Sequence, residues 1–423
     1  MILPLRYTLL AGLFLACTRP PLEQDSGTGP VVDVDDPAEH VAAVPDRVLE
    51  APGLMALDCL AEIPVEGKVD CALRVTWPDG EEIYNGPAAV GLHGRSSAGF
   101  PKHQYAIELR TLDGVDADTD LYGMGEDADW LLNGMYLDRA LFRNKLAYDL
   151  FREMGASRAL GNAAPEAAYV EVALNGVYSG VYLLTERVER GADRVDIPED
   201  DGTGARFIVR ADEEGIPSAV QYAHWAPVYP DPPAPAGVAT RLGAFEATLL
   251  GTGRDAFTEA DLDGFVDFVI LEETLKNNDG YFLSHHLYTG QDELLRFVPW
   301  DLDLTLGQPS YNNNELVDQW ILYRPDLIAR PALQEPFRTR LAERWLDLRG
   351  GILASDALIA RMEGYRALLG DAVTRNWAVW DITQVPNVGF PLYAVATPEE
   401  EYAAVEAWTR QRLTWMDENI QAY

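Results

Sequence analysis

The chain has 423 residues, with 33 Lys and Arg against 68 Asp and Glu, a formal net charge of −35. Contact with a polyanion needs a basic face, so this balance excludes a sequence-independent nucleic-acid binder. Apolar residues at 48% and charged residues at 24% match a folded globular protein, which excludes a disordered acidic tail protein.

At the start, one positive charge, Arg6, precedes the apolar stretch Leu9 to Ala16, which is too short to span a bilayer and ends at Cys17. Residues 1–17 therefore read as an export signal. The run Phe14-Leu15-Ala16-Cys17 resembles the bacterial lipobox, in which the Cys is lipidated and becomes the first residue of the mature protein. Residues 18–45 mix Pro, Gly, Ser and Asp without apolar periodicity and read as a solvated acidic tether. The expected product is an exported cell-envelope lipoprotein facing periplasm or exterior, touching the membrane only through its anchor. With Cys17 set aside, Cys59 and Cys71 remain, and two thiols in an oxidising compartment predict a disulfide. A metal pair lacks support, because none of the six His lies near either Cys in sequence.

Residues 46–423 read as the folded part, strand-rich over about 46–210. From Asp70 to Arg110 short β-like runs alternate with turns, among them Cys71 to Trp77 and Gln104 to Arg110. A helix is predicted from Asp138 as N-cap through Leu141, Phe142, Leu146, Leu150, Phe151 and Met154, with Gly155 as terminator. Ala168 to Leu174 and Val177 to Leu184 flank Asn175-Gly176, which supplies the positive φ angles of a tight hairpin turn. Residues 211–237 are polar and rich in Pro and read as a loop or insertion without regular structure. The helix-rich part follows over about 238–423. It opens with a helix started by Thr258 and Asp261 that keeps helical spacing from Leu262 through Ile270 to about Lys276.

Several common signatures are missing. Gly67-Lys68 lacks the upstream Gly of a phosphate-binding loop, no His-Glu-x-x-His occurs, and Gly94 to Gly99 has the wrong spacing for a nucleophile elbow. What stands out is Asn277-Asn278-Asp279-Gly280-Tyr281 at the end of that helix, two short β runs around His286 and Phe297, then Pro299-Trp300-Asp301-Leu302-Asp303. A hairpin holds its ends together, so Asp279 and Asp301 should lie side by side, where two carboxylates can serve a hard cation and acid–base work. Strand alternation sends His285 and His286 to opposite faces, so at most one faces such a site, and both read as structural.

These residues carry a resemblance to the CotH spore-coat kinases, atypical members of the protein-kinase-like fold. Gly94-Arg-Ser-Ser-Ala-Gly-Phe-Pro-Lys102 with Tyr105 and Ile107 looks like the family's G-R-G-N-S-S-x-x-F-x-K-K-x-Y-x-I stretch. Trp130, Asp138 and Arg143-Asn144 are similar to its W-x7-D-x4-R-N stretch. Asn175-Gly-x-Tyr-x-Gly-x-Tyr-x-Leu-x-Glu186, Asp279-Gly-Tyr and Pro299-Trp-Asp301-Leu-Asp303 complete the set, in order from about Asp70 to the C-terminus.

The resemblance implies an α+β, two-lobed, atypical protein-kinase-like fold with a strand-rich N-terminal half and a helical C-terminal half. It implies an exported protein kinase that moves the γ-phosphoryl of ATP to a protein hydroxyl with Mg²⁺ or Mn²⁺, on an acceptor protein the sequence does not name. By the same resemblance Asp279 is catalytic, and Arg95, Ser96, Ser97, Lys102, Arg143 and Glu186 bind the nucleotide. Asp301, Asp303 and Ser284 hold metal, Ser284 standing where the family pattern has Asn. Glu186, or else Asp149 or Glu153, is the expected ion-pair partner of Lys102, and Arg143 reads equally as a phosphate ligand or a buried structural ion pair. The rival readings are a non-catalytic, invasin-like surface-binding module and a metal-dependent phosphoesterase using the same carboxylates.

Overall fold

Tight β-turns and closely spaced apolar strands turn the first part of the chain into a barrel. In the computed structural model, which describes residues 47–95, 97–212, 214–218, 224–250, 256–308, 314–321, 335–380 and 395–423, it is built from seven strands. They are β1 (Gly53–Cys59), β2 (Val69–Thr76), β3 (Glu82–His93), β4 (Gln104–Leu109), β7 (Asp129–Asn133), β8 (Ala167–Leu174) and β9 (Val177–Glu186). A two-stranded hairpin, β5 (Thr119–Asp120) and β6 (Glu126–Asp127), precedes β7. The barrel order is β1-β2-β3-β4-β7-β9-β8, antiparallel throughout except that β8 returns parallel to β1, with Gly53 opposite Val170. Alternate residues fill the interior, Tyr105, Ile107 and Leu109 of β4 against Tyr182 and Leu184 of β9. The predicted signal, the tether, Cys17 and Ser96 lie outside the described residues.

The hairpin read from Asn175-Gly176 is β8–β9, with φ 48° and 73° at the turn. The predicted disulfide also forms: Cys59 and Cys71 face each other in the β1–β2 register, with Cα atoms 4.0 Å apart. The second predicted helix is α3 (Leu262–Leu275), capped by Asp261, whose side chain accepts from Gly264 N–H at 3.1 Å. It ends at Lys276 in the left-handed region. From Gly264 onward every residue of α3 is buried, as expected of a helix packed on all sides, here by α1 (Arg143–Gly155), α4 (Phe337–Arg349), α7 (Pro398–Asn419) and β14 (Leu295–Pro299).

Two expectations need correction. The first helix begins at Arg143 rather than after Asp138. Asp138 does cap, but its carboxylate accepts from Ala140, Leu141 and Arg143 N–H across a turn in which Leu141 has φ 63°, so the helix starts five residues later. The segment 211–237 is not wholly irregular. It holds the end of β10 (Ile208–Asp212), then β11 (Ile216–Pro217), β12 (His224–Tyr229) and the start of α2 (Ala236–Leu250). β12 forms because Trp225 is buried and its neighbours pair with β10, and Pro227 is accommodated opposite Val209. Pro230 to Pro235 stays free of strand and helix.

β10 to β12 join β13 (His285–Thr289) and β14 in a second sheet, order β11-β12-β10-β13-β14. α5 (Ser355–Leu369) and α6 (Ala372–Val379) complete the C-terminal helices, α6 lying on β9 of the barrel. The chain is thus a mixed α+β protein, strand-rich first and helical later. No described helix is long and apolar enough to cross a membrane.

Candidate active site

The two ends of the β13–β14 hairpin meet where Trp300 N–H donates to the Ser284 carbonyl at 3.1 Å. The turn before β13 winds around the Asp279 carbonyl, which accepts from Phe282 and Leu283 N–H at 2.9 Å and from Ser284 N–H at 3.3 Å. Asp279 N–H donates to Asn277 Oδ1 at 3.3 Å. After β14, Asp301 has φ 56°, a left-handed conformation that a non-glycine residue holds only when its surroundings impose it.

Helix α1 supplies those surroundings. Leu302 N–H donates to Asn144 Oδ1 at 2.6 Å, and Arg143 Nε donates to the Thr305 carbonyl at 2.8 Å. Tyr148, the next residue but three along the helix, stacks on Trp300 at 6.2 Å and reaches the backbone of Asp301. The loop after β14 is therefore held by three side chains from the first two turns of α1.

Asp301 keeps access to solvent and Asp303 is half-buried, within surrounding protein that pushes both carboxyls up. For Asp303 the charges of Asp301, Asp138 and Asp279 add to this, against Arg143. Three carboxylates, Asp301, Asp138 and Asp279, thus act on Asp303. Among the described residues no three His, Cys, Asp or Glu side chains form a ready-made metal site. Two mutually repelling carboxylates still suit Mg²⁺, which takes one or two carboxylates and completes its shell with phosphates and water.

His285 and His286 divide as alternation requires. His285 lies among Trp225, Phe268 and Phe297 at 5.6, 5.9 and 5.7 Å, and burial pushes it down to about 3. His286 is on the other face, edge-on to Trp300 at 5.5 Å, and burial, with the Arg210 charge, pushes it well below its ordinary value. Ser284 is buried at the hairpin base.

The residues assigned to nucleotide binding are more scattered. Arg143 is fully buried: Nη1 donates to Asp138 Oδ1 at 2.6 Å and Nη2 to Glu401 Oε1 at 2.9 Å, with Arg139 on the other Glu401 oxygen at 3.1 Å. Its guanidinium is occupied inside the protein, so the phosphate-ligand expectation gives way to the structural ion pair. Lys102 sits just before β4 as expected, but it is buried, and none of the three expected carboxylates is its partner. Glu186 pairs with Arg194 at 2.6 Å, Asp149 with Lys145 and Arg152, and Glu153 with Arg361. Lys102 Nζ instead donates to the Val181 carbonyl and, at 2.9 Å, to Asn376 Oδ1, over the face of Tyr182. Arg95 is exposed and reaches Asp212 of β10 at 3.4 Å, and the Ser97 hydroxyl folds over Gly94, whose φ of 90° only glycine holds easily. Glu186 lines a cavity of about 420 Å³ with Arg152, Arg187, Val188, Tyr288 and Arg296. Burial pushes its carboxyl up to about 7 against the pull of Arg194.

Residues 90–230 and 254–416 match the family model described as CotH kinase protein, well over half of the chain. The chain belongs to the CotH kinase protein family. It is similar to the inner spore coat protein H of Bacillus subtilis (strain 168), 25% identical over 201 residues. The matched stretch is 44% of this chain and about half, 52%, of that relative. In this CotH-family chain the family match begins inside β3, later than the Asp70 read from sequence. Three residues of the same neighbourhood went unread in the sequence: Tyr148, Glu401 and Asn376. Tyr148 looked like any other position on a helix, and the other two lie more than 200 residues from the side chains they contact.

Proposed function

We propose that the protein is an exported CotH-like protein kinase that transfers the γ-phosphoryl of ATP to a hydroxyl of an acceptor protein. The observation that carries this reading is the meeting of the two ends of the β13–β14 hairpin, where the Asp279 charge acts on Asp303 beside Asp301 and the loop that bears Asp301 and Asp303 is set by Asn144 and Tyr148. Family membership supports it, as does the mixed α+β order, which fits a two-lobed kinase-like arrangement.

Asp301 and Asp303 would hold Mg²⁺ or Mn²⁺, and a cation there offsets the negative charge of the ATP phosphates. Asp279, on the turn before β13, orients the acceptor hydroxyl and takes its proton. Arg95, exposed and beside Asp212 of β10, would turn its guanidinium to phosphate oxygens. The relative's place in a spore coat, together with the signal-like N-terminus, supports export and anchoring through Cys17.

Incubation of the full chain with γ-labelled ATP and Mg²⁺ or Mn²⁺ tests the reading. Label that stays on protein through denaturing gel separation is the expected result. Phosphate release from a small ester without nucleotide would replace it with the phosphoesterase. Absence of both labelling and Mg·ATP binding would leave a surface-binding module.

A further inference from the structure

Lys102 occupies an unusual seat for a side chain meant to meet phosphate. It is 1% exposed, and among the described residues it makes no ion pair. Its amine donates to a backbone carbonyl, Val181, and to an amide oxygen, Asn376 Oδ1, with the Tyr182 ring beneath. The same Asn376 oxygen accepts from Val181 N–H at 3.0 Å, so one side chain of α6 fixes both the lysine and the strand it touches.

The approach is possible because of Gly180. It has φ 92°, and a Cβ there would overlap Asn376 Oδ1 and crowd the Trp380 indole. Gly180 belongs to the Asn175-to-Glu186 stretch, and its lack of a side chain lets α6 come down on β9 at this point. Two further contacts hold α6 there independently of Asn376. Trp380 Nε1 donates to the Ser179 carbonyl at 2.8 Å, and Arg375 pairs with Glu171 at 2.6 Å.

We infer that Asn376 is a positioning residue for Lys102: from a helix more than 270 positions away in sequence it seats the amine with an amide in place of a carboxylate, ready for an anionic phosphate to supply the missing negative charge. The inference deepens the kinase reading and rests on it for the identity of the anion. The groups facing the amine agree with it. Burial lowers the proton affinity of Lys102 well below the ordinary value, the Asp138 charge acts in the opposite direction, and the Tyr182 phenol lies beneath the amine with Tyr105 against that ring. An ammonium here lacks the compensation a phosphate brings.

The chain has four lysines, Lys68, Lys102, Lys145 and Lys276, so the side-chain nitrogens can be followed one by one. In the full chain labelled with ¹⁵N at lysine Nζ and assigned through Lys102→Arg, the Lys102 signal is expected to titrate well below the ordinary range of a lysine amine. Asn376→Asp should move it up towards that range, and Asn376→Ala should change it without unseating α6. In turnover, Asn376→Ala should raise the KM for ATP by about tenfold, the worth of one charged hydrogen bond, with Asn376→Asp recovering part of the loss. A Lys102 titration identical in wild type, Asn376→Ala and Asn376→Asp would overturn the inference. So would an Asn376→Ala protein that is less stable yet keeps the wild-type KM and pH profile. The nitrogen signal reads the seat without nucleotide, so a chain with no kinase activity but a shifted Lys102 would refute the kinase reading and leave the positioning role standing.

Discussion

Replacing Arg143 with Leu removes a guanidinium that touches Asp138 at 2.6 Å, Glu401 at 2.9 Å and the Thr305 carbonyl at 2.8 Å, all inside the protein. Hydrogen bonds to charged groups are worth about 1.5–3 kcal/mol each, so three of them set an upper range of roughly 5–9 kcal/mol. Two features reduce it. Glu401 keeps Arg139 at 3.1 Å, and Asp138, whose carboxyl burial already pushes up, can take a proton rather than remain an uncompensated charge. The expected loss is therefore about 3–5 kcal/mol, the range for breaking a buried pair by deleting one partner. That is a large share of a typical 5–15 kcal/mol stability. Urea unfolding should show a lower midpoint with an unchanged slope, and Arg143→Lys, which keeps charge but loses the fork, should fall between. A variant with wild-type urea midpoint and a Mg·ATP affinity reduced more than about tenfold would refute the structural assignment and restore Arg143 as a phosphate ligand.

The two ends of the hairpin should fail differently. Asp301→Ala is expected to weaken Mg²⁺-dependent nucleotide binding in calorimetry, whereas Asp279→Asn should bind normally and lose about 10²–10⁴-fold in phosphoryl transfer; unchanged affinity in both Asp301→Ala and Asp303→Ala would remove the metal site. Glu186 titrates at about 7 in the folded chain against 4.5 when exposed, so its contribution is complete below about pH 4.5 and lost as pH rises through about 7. The stability of wild type relative to Glu186→Gln should accordingly fall across that window by up to about 3 kcal/mol, read from urea unfolding at its two ends, and a pH-independent difference would count against the buried acid. The Cys59–Cys71 bridge closes a loop of 12 positions and should contribute about 3 kcal/mol in the chain-entropy model. Free-thiol counting on the unfolded, unreduced protein should find neither of these two cysteines reactive.

Local signals were readable where one residue type leaves few alternatives. Asn175-Gly176 announces a hairpin because a tight turn needs two positive φ angles, and Asp261 announces α3 because its carboxylate meets an orphan N–H. The same logic misled at Asp138, which caps as its identity suggests but reaches the first N–H of the helix, that of Arg143, across an intervening turn rather than standing directly before it. β12 was hidden because Pro227 argues against a strand, while the burial of Trp225 that outweighs it depends on tertiary packing. The meeting of Ser284 with Trp300 was legible because a hairpin brings its own ends together. The seat of Lys102 was not, since it is completed by a residue 274 positions away, and no periodicity connects the two.

The barrel closes through the parallel pairing of β1 with β8, and β1 is itself zipped to β2 and stapled there by a disulfide. The family match starts at residue 90, partway along β3, so the segment that completes the ring lies upstream of it. A fragment trimmed to that match would expose the backbone of what remains of β3 on one side and of β8 on the other, two bare strand edges facing apart. Such edges pair with whatever chain is nearest, so a trimmed protein should collect in the insoluble fraction however intact its carboxylates. The boundary of the working unit is set by ring closure rather than by where the sequence becomes familiar.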